Sequence, residues 1–134
     1  MTERITGIWL ALAALNGGIA VATGAYASHG LSDSRAVELF RIAGQYQMWH
    51  ALALAGVATL VRLDRNPVAP RLLAVAAWMF LAGIVLFCGA LYLLAIHGPS
   101  PLGAVAPVGG ISFMVGWAAL AVIGVRWVLT ADRR

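Results

Sequence analysis

The sequence predicts an all-α membrane protein, a four-transmembrane-helix bundle with a short interfacial helix between the first and second spans. Three observations carry that expectation. Four long apolar stretches fill almost all of the 134 residues. Charge is confined to the short gaps between them, with 10% of residues charged against 62% hydrophobic. The mean hydropathy is +0.89, which suits lipid as the solvent. A membrane-crossing helix needs about 20 mostly apolar residues, because each adds about 1.5 Å across a hydrocarbon core about 30 Å thick. Residues 1–134 therefore read as a single transmembrane domain with spans at about 5–27, 42–63, 71–96 and 102–129.

The first span is rich in Ala and Gly, and Gly17, Gly18 and Gly24 are expected at close helix contacts. In lipid, small residues let helices approach, since packing rather than water exclusion draws them together. Ser28 to Leu31 ends the span, and Ser32-Asp33-Ser34 looks like an N-cap cluster. The short interfacial helix follows through Phe40, with Ala36, Val37, Leu39 and Phe40 apolar and Arg35, Glu38 and Arg41 polar.

The second span opens with an unusually polar run, Gly44-Gln45-Tyr46-Gln47-Met48-Trp49-His50. Arg62-Leu63-Asp64-Arg65-Asn66-Pro67 is a loop, and Pro70 can start the third span where no backbone donor is needed. His97-Gly98-Pro99-Ser100-Pro101 breaks that span. Pro107, near the start of the fourth, either begins its regular helix or kinks it. An alternative treats Arg4, the run from Ile5 and Ala25-Tyr26-Ala27 as a signal peptide with its cleavage site. Asn16-Gly17-Gly18 interrupts that run, which is also long enough to span, so a retained helix is expected.

Nine basic residues against five acidic ones give a formal charge of +4, and all nine are Arg. They flank the spans rather than interleave with aromatics, so they speak for lipid headgroups and orientation rather than nucleic acid. Arg4, Arg62, Arg65, Arg71, Arg126, Arg133 and Arg134 fall on one side of a four-span layout, and only Arg35 and Arg41 on the other. Short cytoplasmic loops collect basic residues, so both termini are expected inside a bacterial inner membrane. The lone Cys88 allows no internal disulfide and reads as a small packing residue.

All three histidines fall in the outer half under this layout. Tyr46 and Gln47 lie four and three residues before His50, on one helix face, and Cys88 and Tyr92 are likewise four apart. His29, Tyr46, Gln47, His50 and Tyr92 thus form a candidate polar cluster. Such side chains are costly against lipid and should face the bundle or a water-filled cavity. Two readings fit. The cluster holds a transition metal, haem or quinone, or passes a proton or small solute; or it pins the bundle by interhelical hydrogen bonds. The histidines have no metal-ligand spacing, so both metal and cofactor stay unassigned.

Catalysis finds little footing. Glu3, Asp33, Glu38, Asp64 and Asp132 all lie at ends or loops, leaving no buried carboxylate pair. Ser28-His29 lacks an orienting acid, and Gly109-Gly110 lacks the Lys and Ser/Thr of a phosphate loop. Gly89, Gly109, Gly110 and Gly116 are expected instead at helix contacts, with Gly109, Gly116 and Gly124 recurring near one face.

Four segments in register then resemble one family. They are Gly24-Ala25-Tyr26-Ala27-Ser28-His29-Gly30-Leu31, Tyr46-Gln47-Met48-Trp49-His50-Ala51-Leu52, Phe87-Cys88-Gly89-Ala90-Leu91-Tyr92, and Pro107-Val108-Gly109-Gly110 with Gly116-Trp117. In order and spacing they are similar to the DUF423 family of small inner-membrane proteins. The resemblance covers roughly residues 8 to 125. It implies a multi-pass bacterial inner-membrane protein and brings no catalytic or ligand role. Its signature residues fall here on His29, Tyr46, Gln47, His50, Gly89, Tyr92, Pro107, Gly109, Gly110 and Trp117. Cys88 and Ala90 depart from the small hydroxyl residues usual in the family, which speaks against serine chemistry there.

The expected function is non-enzymatic, a structural or accessory subunit that binds protein or lipid through glycine-lined helix faces. The alternative is a cofactor-binding or solute-handling protein built on the polar cluster; a hydrolase comes third. Expected partners are the lipid bilayer, a membrane protein or a second copy of the chain, and not nucleic acid.

Overall fold

The computed structural model describes residues 2–63 and 69–131, and among these there is no strand. Helix α1 runs Thr2–His29, α2 Ser34–Leu63 and α3 Ala69–Gly83. A π-helical segment, Ile84–Cys88, passes without a break into α4, Gly89–His97. A 3₁₀ turn, Pro101–Ala104, precedes α5, Ala106–Ala131. The loop expected around Asp64 to Pro67, and Asp132, Arg133 and Arg134, lie outside the described residues.

Local chemistry sets the element ends. Asp33 is the cap of the Ser32-Asp33-Ser34 cluster: its Oδ2 accepts from the Ala36 N–H at 2.8 Å, satisfying a donor the first helical turn leaves unpaired. At the end of α4, Gly98 donates its N–H to the Leu94 carbonyl at 2.9 Å and adopts φ +79°, a region open to glycine. Pro99 follows at once. Ser100 caps the 3₁₀ turn, accepting from Leu102 N–H at 3.4 Å. Pro107 sits in the first turn of α5, so it begins the regular helix rather than kinking it.

One expectation is corrected. Residues 34–40 are not a separate interfacial helix but the opening turns of one 30-residue helix. No Gly or Pro separates Ser34 from Ala43, and Phe40, buried at 5% exposure, stacks with Tyr26 and Tyr92 at ring-centroid distances of 5.4 and 4.9 Å. Those contacts tie the amphipathic turns to α1 and α4, leaving them no reason to part from the span below. Within the third span, Ile84–Cys88 forms a π turn.

Helix α2 is central. It packs along α1 on one side and against α3, the π segment and α4 on the other, while α5 lies on α3 and the π segment. The deepest core is where these surfaces meet, with Leu54, Leu73, Ala76, Ala77 and Phe80 wholly buried. At the far end of the α1–α2 pair, Arg62 and Glu3 form an exposed ion pair at 2.6 Å.

Glu3–His29, Ala69–His97 and Pro101–Ala131 are each long and apolar enough to cross a membrane. Large apolar side chains face outward along them, among them Val21, Val85, Met114 and Val125, each about three-fifths exposed or more or close to it. A soluble protein rarely leaves such surface contiguous; hydrocarbon is the solvent it fits. Helix α2 is long enough, at about 45 Å, but its first half is polar.

Candidate polar site between the helices

Three polar side chains are buried in this bundle among the described residues: Asn16, Gln47 and His50. Each solves the problem of a polar group in lipid by bonding to another helix or to its own backbone.

Gln47, on α2, is the junction of one chain of bonds. Its Nε2 donates to Asn16 Oδ1 on α1 at 2.9 Å, and its Oε1 accepts from the Tyr92 hydroxyl on α4 at 2.8 Å. Asn16 passes the direction on, its Nδ2 donating to the Leu12 carbonyl one turn back at 2.9 Å. Tyr92 Oη also lies 2.9 Å from Thr23 Oγ1, which is 3.1 Å from the Ala20 carbonyl. Tyr92 has one proton and spends it on Gln47, so its oxygen is the acceptor toward Thr23. Three helices are thereby joined through one amide.

His50 forms a second unit one turn further along α2. The Trp117 indole N–H on α5 donates to His50 Nε2 at 3.2 Å. An indole N–H can only donate, so Nε2 carries the lone pair and Nδ1 the proton. Nδ1 therefore donates to the Tyr46 carbonyl at 2.7 Å. The ring is neutral, its tautomer fixed by its two partners. It stacks on Phe113 with centroids 3.5 Å apart and planes 12° from parallel. Phe80 closes one side at 5.6 Å.

Glycine makes room for these rings. A Cβ on Gly116 would come within 2.6 Å of Phe80 Cε1, and one on Gly83 would strike the Phe113 ring. A Cβ on Gly109 would collide with the Phe87 backbone, inside the π segment. Helix α5 thus reaches the rod of α3, π segment and α4 at backbone-contact distance, which is where small residues matter in a membrane bundle.

The cluster expected from sequence is brought together only in part. Gln47 and Tyr92 bond directly, and His50 lies beside them on α2. Tyr46 contributes its carbonyl and its ring, 4.8 Å from Phe87, and its hydroxyl bonds to none of the described residues. His29 does not join: it is the last residue of α1 and is exposed. Gly17, Gly18, Gly24, Gly89 and Gly110, expected at close contacts, have nothing within 4 Å of where a Cβ would stand. Only Gly18 is exposed and the other four are half-buried, while Gly109 and Gly116, as expected, and Gly83, which the sequence did not single out, make the close contacts.

Asn16, Thr23 and Phe113 are site residues that sequence reasoning passed over, and Trp117 entered only as a signature residue of the resemblance, outside the polar cluster. Asn16 carried a usable signal, since a lone amide in an apolar span must find a polar partner. Thr23 carried none, because a hydroxyl can bond its own helix backbone, as Ser112 does to Val108.

As a ligand set the site is poor. Both His50 nitrogens are engaged, and no group of three or more His, Cys, Asp or Glu among the described residues could hold a metal ion. What the arrangement does chemically is pair the buried amides and the His50 ring with groups on neighbouring helices and on the backbone.

The sequence is similar to that of known proteins. A family profile described as "Protein of unknown function (DUF423)" matches residues 23–110. The UPF0382 membrane protein YwdK of Bacillus subtilis is 35% identical over 129 residues, covering 90% of this chain and 98% of its own. The UPF0382 inner membrane protein YgdD of Escherichia coli is 41% identical, covering 94% and 93%. A UPF0382 membrane protein of Haemophilus influenzae is 40% identical, covering 84% and 90%. No solved structure matches.

Proposed function

The chain belongs to the DUF423 family of membrane proteins, and from that footing we propose that it is a non-enzymatic accessory subunit, built to be a stable four-span bundle that binds lipid or protein partners through its outward small-residue faces. The observation that carries this reading is a contrast between inside and outside. Inside, Gln47, Tyr92 and both His50 nitrogens are bonded to neighbouring groups. Toward the outside, Gly17, Gly18, Gly24, Gly89 and Gly110, half-buried or exposed, have open space where a Cβ would stand, room for a lipid chain or another helix.

The fourth span in this proposal is α2, with residues 1–134 forming one domain. Its polar residues support that placement: Gln47 and His50 are turned into the bundle rather than toward hydrocarbon. Both termini lie in the cytoplasm of a bacterial inner membrane, following the skew of Arg residues; the name of the Escherichia coli relative agrees as to the membrane. The alternative of a cofactor held at His50 draws no support from its ring nitrogens, both of which are bonded.

Native mass spectrometry after gentle extraction tests the proposal. Gly17→Leu and Gly18→Leu should strip a stoichiometric lipid or protein adduct while the bundle stays folded. A metal, haem or quinone mass that His50→Ala releases from a folded bundle would overturn it.

A further inference from the structure

Beside the α1–α2 contact, at the end where residues 30–33 join the two helices, runs a groove of about 250 Å³. The helices are antiparallel neighbours, and each contributes a stripe with the same i, i+4, i+8 spacing. On α1 these are Ala20, Gly24 and Ser28; on α2 they are Arg41, Gln45 and Trp49. The two walls differ in bulk. The α1 wall is small, and a Cβ at Gly24 would meet nothing within 4 Å. The α2 wall is long and polar at the mouth, aromatic at the inner end. Gly44 holds the helices close behind the groove, its Cβ position 3.4 Å from Thr23 Oγ1. The trough is therefore a fixed feature of the packing.

Arg41 at the mouth is exposed, and neither it nor Gln45 has an ion-pair or hydrogen-bond partner among the described residues. The one ion pair found among them, Arg62–Glu3, is at the opposite end of α2. A guanidinium in the third turn of α2, exposed and without a protein partner among the described residues, is a donor fork suited to phosphate. From Arg41 to Trp49 is eight residues, about 12 Å along the helix, within one leaflet of a core about 30 Å thick. A cation at the mouth and an apolar trough one leaflet deep match one molecule: a lipid with an anionic head and an acyl tail. A soluble anion would use only the mouth.

We propose that this groove binds one anionic glycerophospholipid, its phosphate on Arg41 and an acyl chain lying over Gly24. This deepens the accessory-subunit reading by giving its partner a chemistry and a place.

The test compares wild type, Arg41→Gln, Arg35→Gln and Gly24→Leu, each purified in mild detergent and shown folded by its thermal melt. Native mass spectra are taken with phosphatidylglycerol, with phosphatidylcholine of the same acyl chains, and with inorganic phosphate. Arg35 is an exposed arginine near the same end that does not line the groove. Wild type should hold one phosphatidylglycerol in preference to phosphatidylcholine. Arg41→Gln should weaken that adduct about fivefold, the size expected of one basic residue at an anionic headgroup. Arg35→Gln should leave it within twofold, and Gly24→Leu should displace both lipids by filling the trough. Should Gly24→Leu not fold, Ser28→Leu closes the same trough from its mouth. Equal weakening by Arg35→Gln and Arg41→Gln would mean diffuse surface charge and overturn the site. So would an adduct indifferent to Gly24→Leu or Ser28→Leu, or phosphate binding as well as the lipid. A protein adduct surviving in every variant without lipid preference overturns the groove but not the accessory reading, whereas cofactor release by His50→Ala strikes that reading whatever Arg41 does.

Discussion

Trp117 donates its indole N–H to His50 Nε2 across 3.2 Å, and that one bond decides how the only buried histidine among the described residues can be used. It fixes the proton on Nδ1, where the Tyr46 carbonyl takes it at 2.7 Å. A ring so engaged is a structural joint between α2 and α5.

Trp117→Phe keeps an aromatic ring beside Phe80 but removes the donor. The expected cost is about 1–2 kcal/mol, the range for an interhelical hydrogen bond in lipid together with its orphaned acceptor. A lowered unfolding midpoint in detergent, with helical content unchanged, is the outcome to look for. An unchanged midpoint would mean that the bond contributes nothing.

Gln47 is buried between Asn16 and Tyr92, whereas Tyr92 is half-buried and its hydroxyl also bonds to Thr23, so their removal should not be equal. Gln47→Leu leaves the buried Asn16 Oδ1 without its donor and Tyr92 with Thr23 alone, and is expected to cost about 2 kcal/mol, against about 1 kcal/mol for Tyr92→Phe, which keeps the half-buried ring in place. Because the two share a bond, the double variant should cost less than the sum. Strict additivity in chemical unfolding would show the network to be broken in the membrane.

Neighbouring glycines should behave oppositely. Gly109→Ala drives a methyl into the Phe87 backbone and is expected to destabilise by about 1–3 kcal/mol, the cost of overpacking. Gly110→Ala meets open space and should be neutral or stabilising by up to about 1 kcal/mol, the helix propensity difference. Thermal melts of the two variants side by side decide it.

Helix α2 should exchange its amides as one body. Asp33→Ala removes the cap bond to Ala36 and is expected to cost about 1 kcal/mol, with faster hydrogen exchange confined to residues 34–37. Protection should then continue unbroken through 38–46. A second fast patch near Phe40 would restore the separate interfacial helix.

The fold class was legible because its cause is compositional. Apolar runs of the right length leave a chain in lipid few options, since every backbone polar group must be bonded internally. Turn chemistry was legible for the same local reason: Asp33 caps, Gly98 and Pro99 stop a helix, and Pro107 starts one. Gln47 and Tyr92 were nominated by the expense of a polar group in hydrocarbon, which is also a property of single residues.

What tertiary structure alone decided is partnership. No spacing in the sequence says that Asn16 answers Gln47, 31 residues away, or that Trp117 answers His50 across 67. Nor could composition tell the glycines apart, because a glycine in a membrane helix packs inward or faces lipid according to the helix's rotation. That rotation is set by the neighbours: Phe113 over Gly83, Phe80 beside Gly116, the Phe87 backbone under Gly109. Sequence by itself determined that the chain forms long apolar helices with a few costly polar groups. The packed structure determined that those groups spend themselves on one another, leaving Arg41 and its groove facing outward.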